Sequence, residues 1–352
     1  MHLPDFHQQP LWVNGAVFAL AALAVWVSGT RVARYADAIA TQTGFGHITV
    51  GLILLGGVTS LPEMAVTVTA AMAGNTELAV NNLLGGIAMQ KAILAGADAL
   101  IGKEALTMAV TTPAVLLQAA LSILLLVIVA AGIVIGDTLW LGTGLWCWAI
   151  LALYGFSIWK IAKAAGRDSW IVGNAKQQLR HNRQQQQRYS QPQAKQPLRR
   201  LLLKTAATAA VILVAGFFLS RTGDAIAVQT GLGQHFVGAV LLAFATSLPE
   251  ISTVVATLRL RQYEMAISDV LGTNLFNTSL LFLVDAAYTG QPVLDTVGDF
   301  SLLTALLGIL MATIYLVGLI ERRNRTIARM GIDSLAILVA YAGGLFLLYQ
   351  LR

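Results

Sequence analysis

A chain of 352 residues with 57 % hydrophobic and only 11 % charged side chains, and a mean hydropathy of +0.71, lies far outside the composition of soluble globular domains. Its net charge of +6 belongs to an apolar chain and is read as membrane topology, not as a nucleic-acid-binding surface. The single cysteine, Cys147, excludes an intrachain disulfide and a cysteine metal cluster.

Apolar runs of roughly 20 residues predict membrane-spanning helices, because barrel strands would be half as long and alternating. About ten spans are expected, near residues 11–29, 46–72, 78–98, 107–134, 138–160, 201–220, 236–258, 265–287, 299–320 and 331–350. The first ten residues hold no Lys or Arg, so the first run is expected to remain as a span and not to be cleaved as a signal. Arg31, Arg34, Lys103, the basic residues from Lys160 to Arg200, Arg259, Arg261, Arg322, Arg323, Arg325 and Arg329 fall after odd-numbered spans, while Arg221 and Arg352 alone fall on the other side. Cytoplasmic loops collect Lys and Arg, so both termini are expected outside the cytoplasm, most simply across a plasma or inner membrane.

Residues 36–63 and 223–250 align without a gap and agree at about 17 of 28 positions, which marks an internal duplication. Both copies end in Thr-Ser-Leu-Pro-Glu, at Thr59–Glu63 and at Thr246–Glu250. Each copy belongs to a block of five spans, and five is odd, so the second must enter the membrane inverted relative to the first. The expected layout is therefore an all-α polytopic membrane protein of two inverted five-helix halves. The first covers residues 1–163 with its repeat near 36–98, and the second covers 201–352 with its repeat near 223–285. Between them, 164–200 reads as a basic, Gln-rich cytoplasmic linker. It has no acidic module of the kind that would sense Ca²⁺.

Pro62 and Pro249 each remove a backbone donor in mid-span and are expected to free the carbonyls near Val58 and Ala245. Thr59, Ser60, Thr246 and Ser247 add hydroxyls at that depth, and Glu63 and Glu250 add charge one residue later. Hydroxyl, carbonyl and carboxylate oxygens form the hard donor set that suits Ca²⁺ and Na⁺. Serine and threonine can serve a proline kink alone, but that leaves the glutamates unexplained. An ionisable group in mid-bilayer costs about 2.5–3.5 kcal/mol on the lenient insertion scale. Downstream, Asn81–Gln90 and Ser268–Asn277 each contain a glycine, expected to break the helix, followed by amides. Thr273 and Asn277 share a helical face, matched in the first copy by Gly86 and Gln90.

Both repeats resemble the α-repeats of the cation/calcium antiporter superfamily, over about 55 residues in each half. The resemblance rests on Asp-Ala-Ile-Ala with Gln-Thr-Gly upstream, on Thr-Ser-Leu-Pro-Glu, and on Asp269, Gly272, Thr273, Asn274 and Asn277 downstream. It implies a secondary antiporter exchanging Ca²⁺ for Na⁺ by alternating access, with Glu63 and Glu250 as the central ligands. Thr59, Ser60, Thr246, Ser247, Thr273, Asn277 and Gln90 would complete the metal set. The cations are substrates; no cofactor is implied, and the partners are the ions and the lipid bilayer.

The first copy keeps only Asn82 and Gly85 of the downstream motif, with Gly86, Ile87 and Gln90 replacing the usual residues and Lys91 following directly. That lysine either competes with a cation or reaches for the interface. No acid stands at Gln90 or Asn277, where three-Na⁺ exchangers of the family tend to have one, so H⁺ coupling stays open beside Na⁺. A cation-binding relative that does not transport is a further alternative. An intramembrane enzyme is disfavoured by the absence of HExxH and Gly-x-Ser-x-Gly motifs. Asp98 and Asp285 share one offset and read either as guards of the two entrances or as ordinary span-end acids. His47 aligns with Gln234, which gives no symmetric histidine pair, and Trp140, Trp146 and Trp148 read as packing and interface anchors.

Overall fold

The computed structural model describes residues 5–43, 50–99, 106–109, 112–165, 196–231, 234–321, 326–327 and 330–351. His47, Lys103, Arg322, Arg323, Arg325, Arg329 and residues 166–195 of the expected linker lie outside the described residues. Helices flank that linker, one ending at Ala165 and the next beginning at Leu198.

The first half runs α1 (Leu11–Thr43), a π-helical segment Gly51–Leu55, α2 (Gly56–Thr59), α3 (Leu61–Met72), α4 (Thr76–Asp98), α5 (Pro113–Ile135) and α6 (Leu145–Ala165). The second runs α7 (Leu198–Thr230), a π-helical segment Val237–Leu242, α8 (Ala243–Thr246), α9 (Leu248–Arg259), α10 (Tyr263–Ala287), α11 (Asp299–Glu321) and α12 (Ile332–Gln350). Most boundaries coincide at an offset of 187 residues, the distance from Leu11 to Leu198. Among the described residues, eight helices are long and apolar enough to cross a membrane, and the bent pair Val237–Thr246 with Leu248–Arg259 makes nine. At the matching place in the first half lies the shorter apolar helix Leu61–Met72.

Two boundaries differ from the sequence reading. Helices α1 and α7 each have 33 residues, about 50 Å at 1.5 Å per residue and longer than a bilayer core. Arg31 and Arg34 therefore lie inside α1, and Arg221 inside α7, not in loops. The polar-looking stretch after residue 29 stays helical because it is amphipathic: Val32, Ala33, Ala36 and Ala40 are buried while Arg31 and Arg34 face outward. The sequence also gave no sign of two small hairpins, β1 (Leu139–Trp140) with β2 (Thr143–Gly144) and β3 (Thr326–Ile327) with β4 (Met330–Gly331). The first turns through Leu141 and Gly142, both at positive φ (53° and 85°), the backbone a two-residue hairpin demands.

The central helices are α4 and α10, with 94 % and 83 % of their apolar windows buried, against 22 % for α1 and 28 % for α7. Each packs mainly on the other half: α4 against α11 and α12, α10 against α5 and α6. The glycines expected to break these helices do not, since α4 and α10 run through them. They permit close approach instead. A Cβ on Gly85 would sit 2.6 Å from the Ala239 Cα, and one on Gly272 would sit 2.9 Å from the Leu52 Cα, so each central helix lies directly on the π-helical segment of the opposite half.

Asp98 and Asp285 end these helices as matched clamps. Asp98 accepts hydrogen bonds from the backbone N–H of Leu106 (2.5 Å) and Gly331 (2.6 Å), and Asp285 from Val293 and Gly144 (2.5 Å each). Each ties its central helix to the hairpin of the other half. An acid at a helix C-terminus opposes the helix dipole, and two charge-assisted bonds offset that. Of the two readings left open by the sequence, these contacts favour span-end acids with a structural task.

Candidate cation site

The Thr-Ser-Leu-Pro-Glu motifs do not kink a continuous helix. Helix α2 ends at Thr59 and α3 begins at Leu61, with Ser60 at ψ 1° between them; α8 ends at Thr246 and α9 begins at Leu248, with Ser247 at ψ 4°. The second break bends the chain by 42°. Pro62 and Pro249 thus sit in the first turn of a new helix, where a missing N–H costs nothing. Each motif proline also abuts a glycine of the long helix from the opposite half: a Cβ on Gly216 would lie 2.8 Å from the Pro62 Cα, and one on Gly29 would lie 2.7 Å from the Pro249 Cα.

This geometry places Glu63 and Glu250 in the first turn of α3 and α9, the positive end of the helix dipole. Both are fully buried, and none of their four carboxylate oxygens has a hydrogen-bond partner among the described residues. Thr246 lies beside Glu63 and Thr59 beside Glu250, so each glutamate meets the hydroxyl of the opposite motif. Glu63 and Glu250 are also close enough to repel one another. Bare buried carboxylate oxygens require a compensating charge, and the oxygens around them are hard donors that fit a Ca²⁺- or Na⁺-type cation.

The remaining predicted residues fall around this pair. The Thr59 Oγ1 lies 3.3 Å from the Thr273 Oγ1, joining the first motif to the second central helix. From the other half, the Thr246 hydroxyl donates to the Asn82 Oδ1 at 3.5 Å, one turn before the position that matches Thr273. The Ser60 hydroxyl turns back to the Gly56 carbonyl at 2.7 Å, whereas the Ser247 hydroxyl has no partner. Gln90 and Asn277 are wholly buried with both amide atoms unpartnered, on successive turns after Asn82–Gly86 and Asp269–Thr273, and no contact ties either to the glutamates. Lys91 departs from the interface reading. It is 1 % exposed, does not reach an interface, and its Nζ donates to the Ile87 carbonyl at 3.1 Å, with no ion pair among the described residues.

Asn82, Thr253 and Asp269 also join this buried polar layer but are absent from the predicted ligand set. Asn82 and Asp269 carried a sequence signal, since they occupy one aligned position in the repeats. Thr253 carried none, because its partner position is Val66. No group of three or more His, Cys, Asp or Glu side chains among the described residues is arranged to hold one metal ion.

Comparison with known proteins places these features in context. The family profile described as "Sodium/calcium exchanger protein" matches residues 13–161 and 201–350, one stretch in each half. "Inner membrane protein YrbG" of Escherichia coli (strain K12) is 25 % identical over 285 residues, covering 81 % of this chain and 80 % of that protein. "Putative antiporter CaxA" of Alkalimonas amylolytica is 24 % identical over 347 residues, covering 95 % and 98 %. Among solved structures, the sodium-calcium exchanger NCX_Mj soaked with Na⁺ and Sr²⁺ superposes with a TM-score of 0.65 at 16 % identity, over 95 % of this chain and 97 % of that one. The same protein soaked without Na⁺ and Ca²⁺ gives 0.63. At that identity the likeness is one of fold.

Proposed function

Because this chain belongs to the sodium/calcium exchanger protein family, matched in both of its halves, and is thus a multi-pass membrane cation antiporter by family, we propose that it exchanges Ca²⁺ for Na⁺ by alternating access around Glu63 and Glu250. The observation that carries this reading is the pair of fully buried glutamates whose four oxygens lack donors. Two carboxylates match one divalent charge, and Thr59, Ser60, Thr246 and Ser247 supply neutral oxygens at the same depth. Thr273, Asn277 and Gln90 complete the polar layer toward the central helices. Because the breaks at Ser60 and Ser247 are related by the repeat and the halves are inverted, the same carboxylate pair is approachable from either side through equivalent paths.

Proton coupling is the second reading. It is favoured by the neutral amides at Gln90 and Asn277, which leave the glutamate pair with charge for one Ca²⁺ or two protons. The positions of the basic residues support cytoplasmic loops after odd-numbered spans, and the relative named as an inner membrane protein supports that location.

Flux of ⁴⁵Ca²⁺ into proteoliposomes, under an imposed Na⁺ gradient and then an imposed pH gradient, separates the two. Uptake driven by Na⁺ alone is the expected result. Uptake driven only by the pH gradient transfers the assignment to H⁺ coupling, and ion-stabilised melting without flux under either gradient leaves a binding protein that does not transport.

A further inference from the structure

The two glutamates do not exhaust the buried acids of the site. Asp269, on α10, is wholly buried. Its Oδ2 accepts a hydrogen bond from the Thr253 hydroxyl, and its Oδ1 has no partner among the described residues. Thr253, whose hydroxyl also meets the Glu250 carbonyl oxygen, links Asp269 to the second glutamate motif, and the Thr59 hydroxyl lies beside both acids. Thr59 in turn touches Thr273, one turn along α10 from Asp269.

The molecule itself shows what a structural aspartate looks like in this fold. Asp98 and Asp285 are buried too, and each of their four oxygens is held by its own backbone N–H at 2.5–2.6 Å. Asp269 has one oxygen held by a hydroxyl and the other bare, beside a second acid. The Thr253 hydroxyl also has only one proton to divide between the Glu250 carbonyl oxygen and Asp269. Repetition does not explain the charge either, because the first half has Asn82 in place of Asp269 and Val66 in place of Thr253. The acid and the hydroxyl that orients it occur together, in one half only.

We propose that Asp269 is a cation ligand of a second position beside the glutamate pair, completed by the Thr59 and Thr273 hydroxyls and selective for a hard monovalent cation of the Na⁺ type. One carboxylate with neutral oxygens matches a single positive charge, as the paired glutamates match a double one. The assignment rests on the reading of Glu63 and Glu250 as the divalent site. It supplies the third acid that the neutral Gln90 and Asn277 do not.

The test is thermal stabilisation of the purified full-length protein, titrated separately with Na⁺ and with Ca²⁺, for the wild type, Asp269→Asn, Asp269→Glu and Thr253→Val. Asp269→Asn is expected to raise the Na⁺ midpoint at least tenfold while moving the Ca²⁺ midpoint less than threefold. Thr253→Val should raise the Na⁺ midpoint to a smaller extent, and Asp269→Glu should recover part of the loss. A merely structural aspartate would shift both midpoints together, and that outcome overturns the proposal, as does an unchanged Na⁺ midpoint in Asp269→Asn. Melting without ions reports whether each variant folds, and Thr253→Val, which keeps the acid, serves if Asp269→Asn does not. Binding is read without flux, so a wild type that binds Na⁺ through Asp269 yet exchanges no Ca²⁺ would sink the transport reading and leave this site standing.

Discussion

The two halves of the cation site are built on one backbone and carry different chemistry. At matched positions the first half presents Val66, Asn82, Gly86 and Gln90, and the second presents Thr253, Asp269, Thr273 and Asn277. The glutamate layer, by contrast, is the same in both, with Glu63 and Glu250 each in the first turn of a restarted helix and each beside the threonine of the opposite motif. Duplication thus preserved the glutamate layer. It relaxed the layer on the central helices, where one half can supply a charge and the other only an amide.

The sharpest way to break this comparison is to remove one glutamate at a time. If the pair is a single shared site, Glu63→Gln and Glu250→Gln should each lower ⁴⁵Ca²⁺ exchange by about a hundredfold or more, because each carboxylate supplies half of the charge that balances a divalent cation out of water. A large loss for one variant and a small one for the other would mean that the halves do not share the ion equally.

The clamps at the ends of the central helices come next. Asp98→Asn and Asp285→Asn each lose charge-assisted bonds to two backbone donors, bonds worth about 1.5–3 kcal/mol each to a charged acceptor. A drop of several degrees in melting temperature is expected, of similar size for both because their donors match one for one. A drop confined to one side would show that the two ends of the molecule are not equivalent.

The smallest effect belongs to the acidic cluster around Asp137. Burial pushes the Asp137 carboxyl above its ordinary range, and repulsion from Asp285 and Asp295 adds to this, although N–H donors from Trp146 and Thr138 pull the other way. The folded state therefore binds this proton more tightly than the unfolded one, so the group favours folding below its raised value and loses that contribution as pH climbs through it. The melting temperature should fall slightly between the ordinary carboxylate range and neutral pH in the wild type, and less in Asp137→Asn.

How much of this was legible beforehand depended on the kind of signal. Thr59–Glu63 and Thr246–Glu250 stood out as a repeated string with acids inside apolar runs, and they do form the buried centre. Pro62 and Pro249 read from the sequence as mid-span prolines that free the carbonyls near Val58 and Ala245, but periodicity cannot distinguish a continuous bent helix from one that stops at Ser60 or Ser247 and restarts. Gly85 and Gly272 were read as breaks because glycine weakens a helix, and only the π-helical segments packed against them show that they permit close approach. Lys91 reads equally as a side chain that reaches an interface, but it is buried and gives its ammonium to a carbonyl on its own helix. Asp269 was visible as a letter in the motif but not as a site, because its meaning depends on which atoms its two oxygens meet.

The sequence by itself determined the membrane-spanning helices, the duplication, the burial of the two glutamates and the antiporter resemblance, because apolar length and a repeated string are properties of the chain alone. Tertiary structure decided which polar groups face one another across the halves. Thr59 reaches Thr273 and Asp98 reaches Gly331 over 214 and 233 residues. Contacts at that separation arise from helices packing in three dimensions, and no local pattern in either helix encodes its partner.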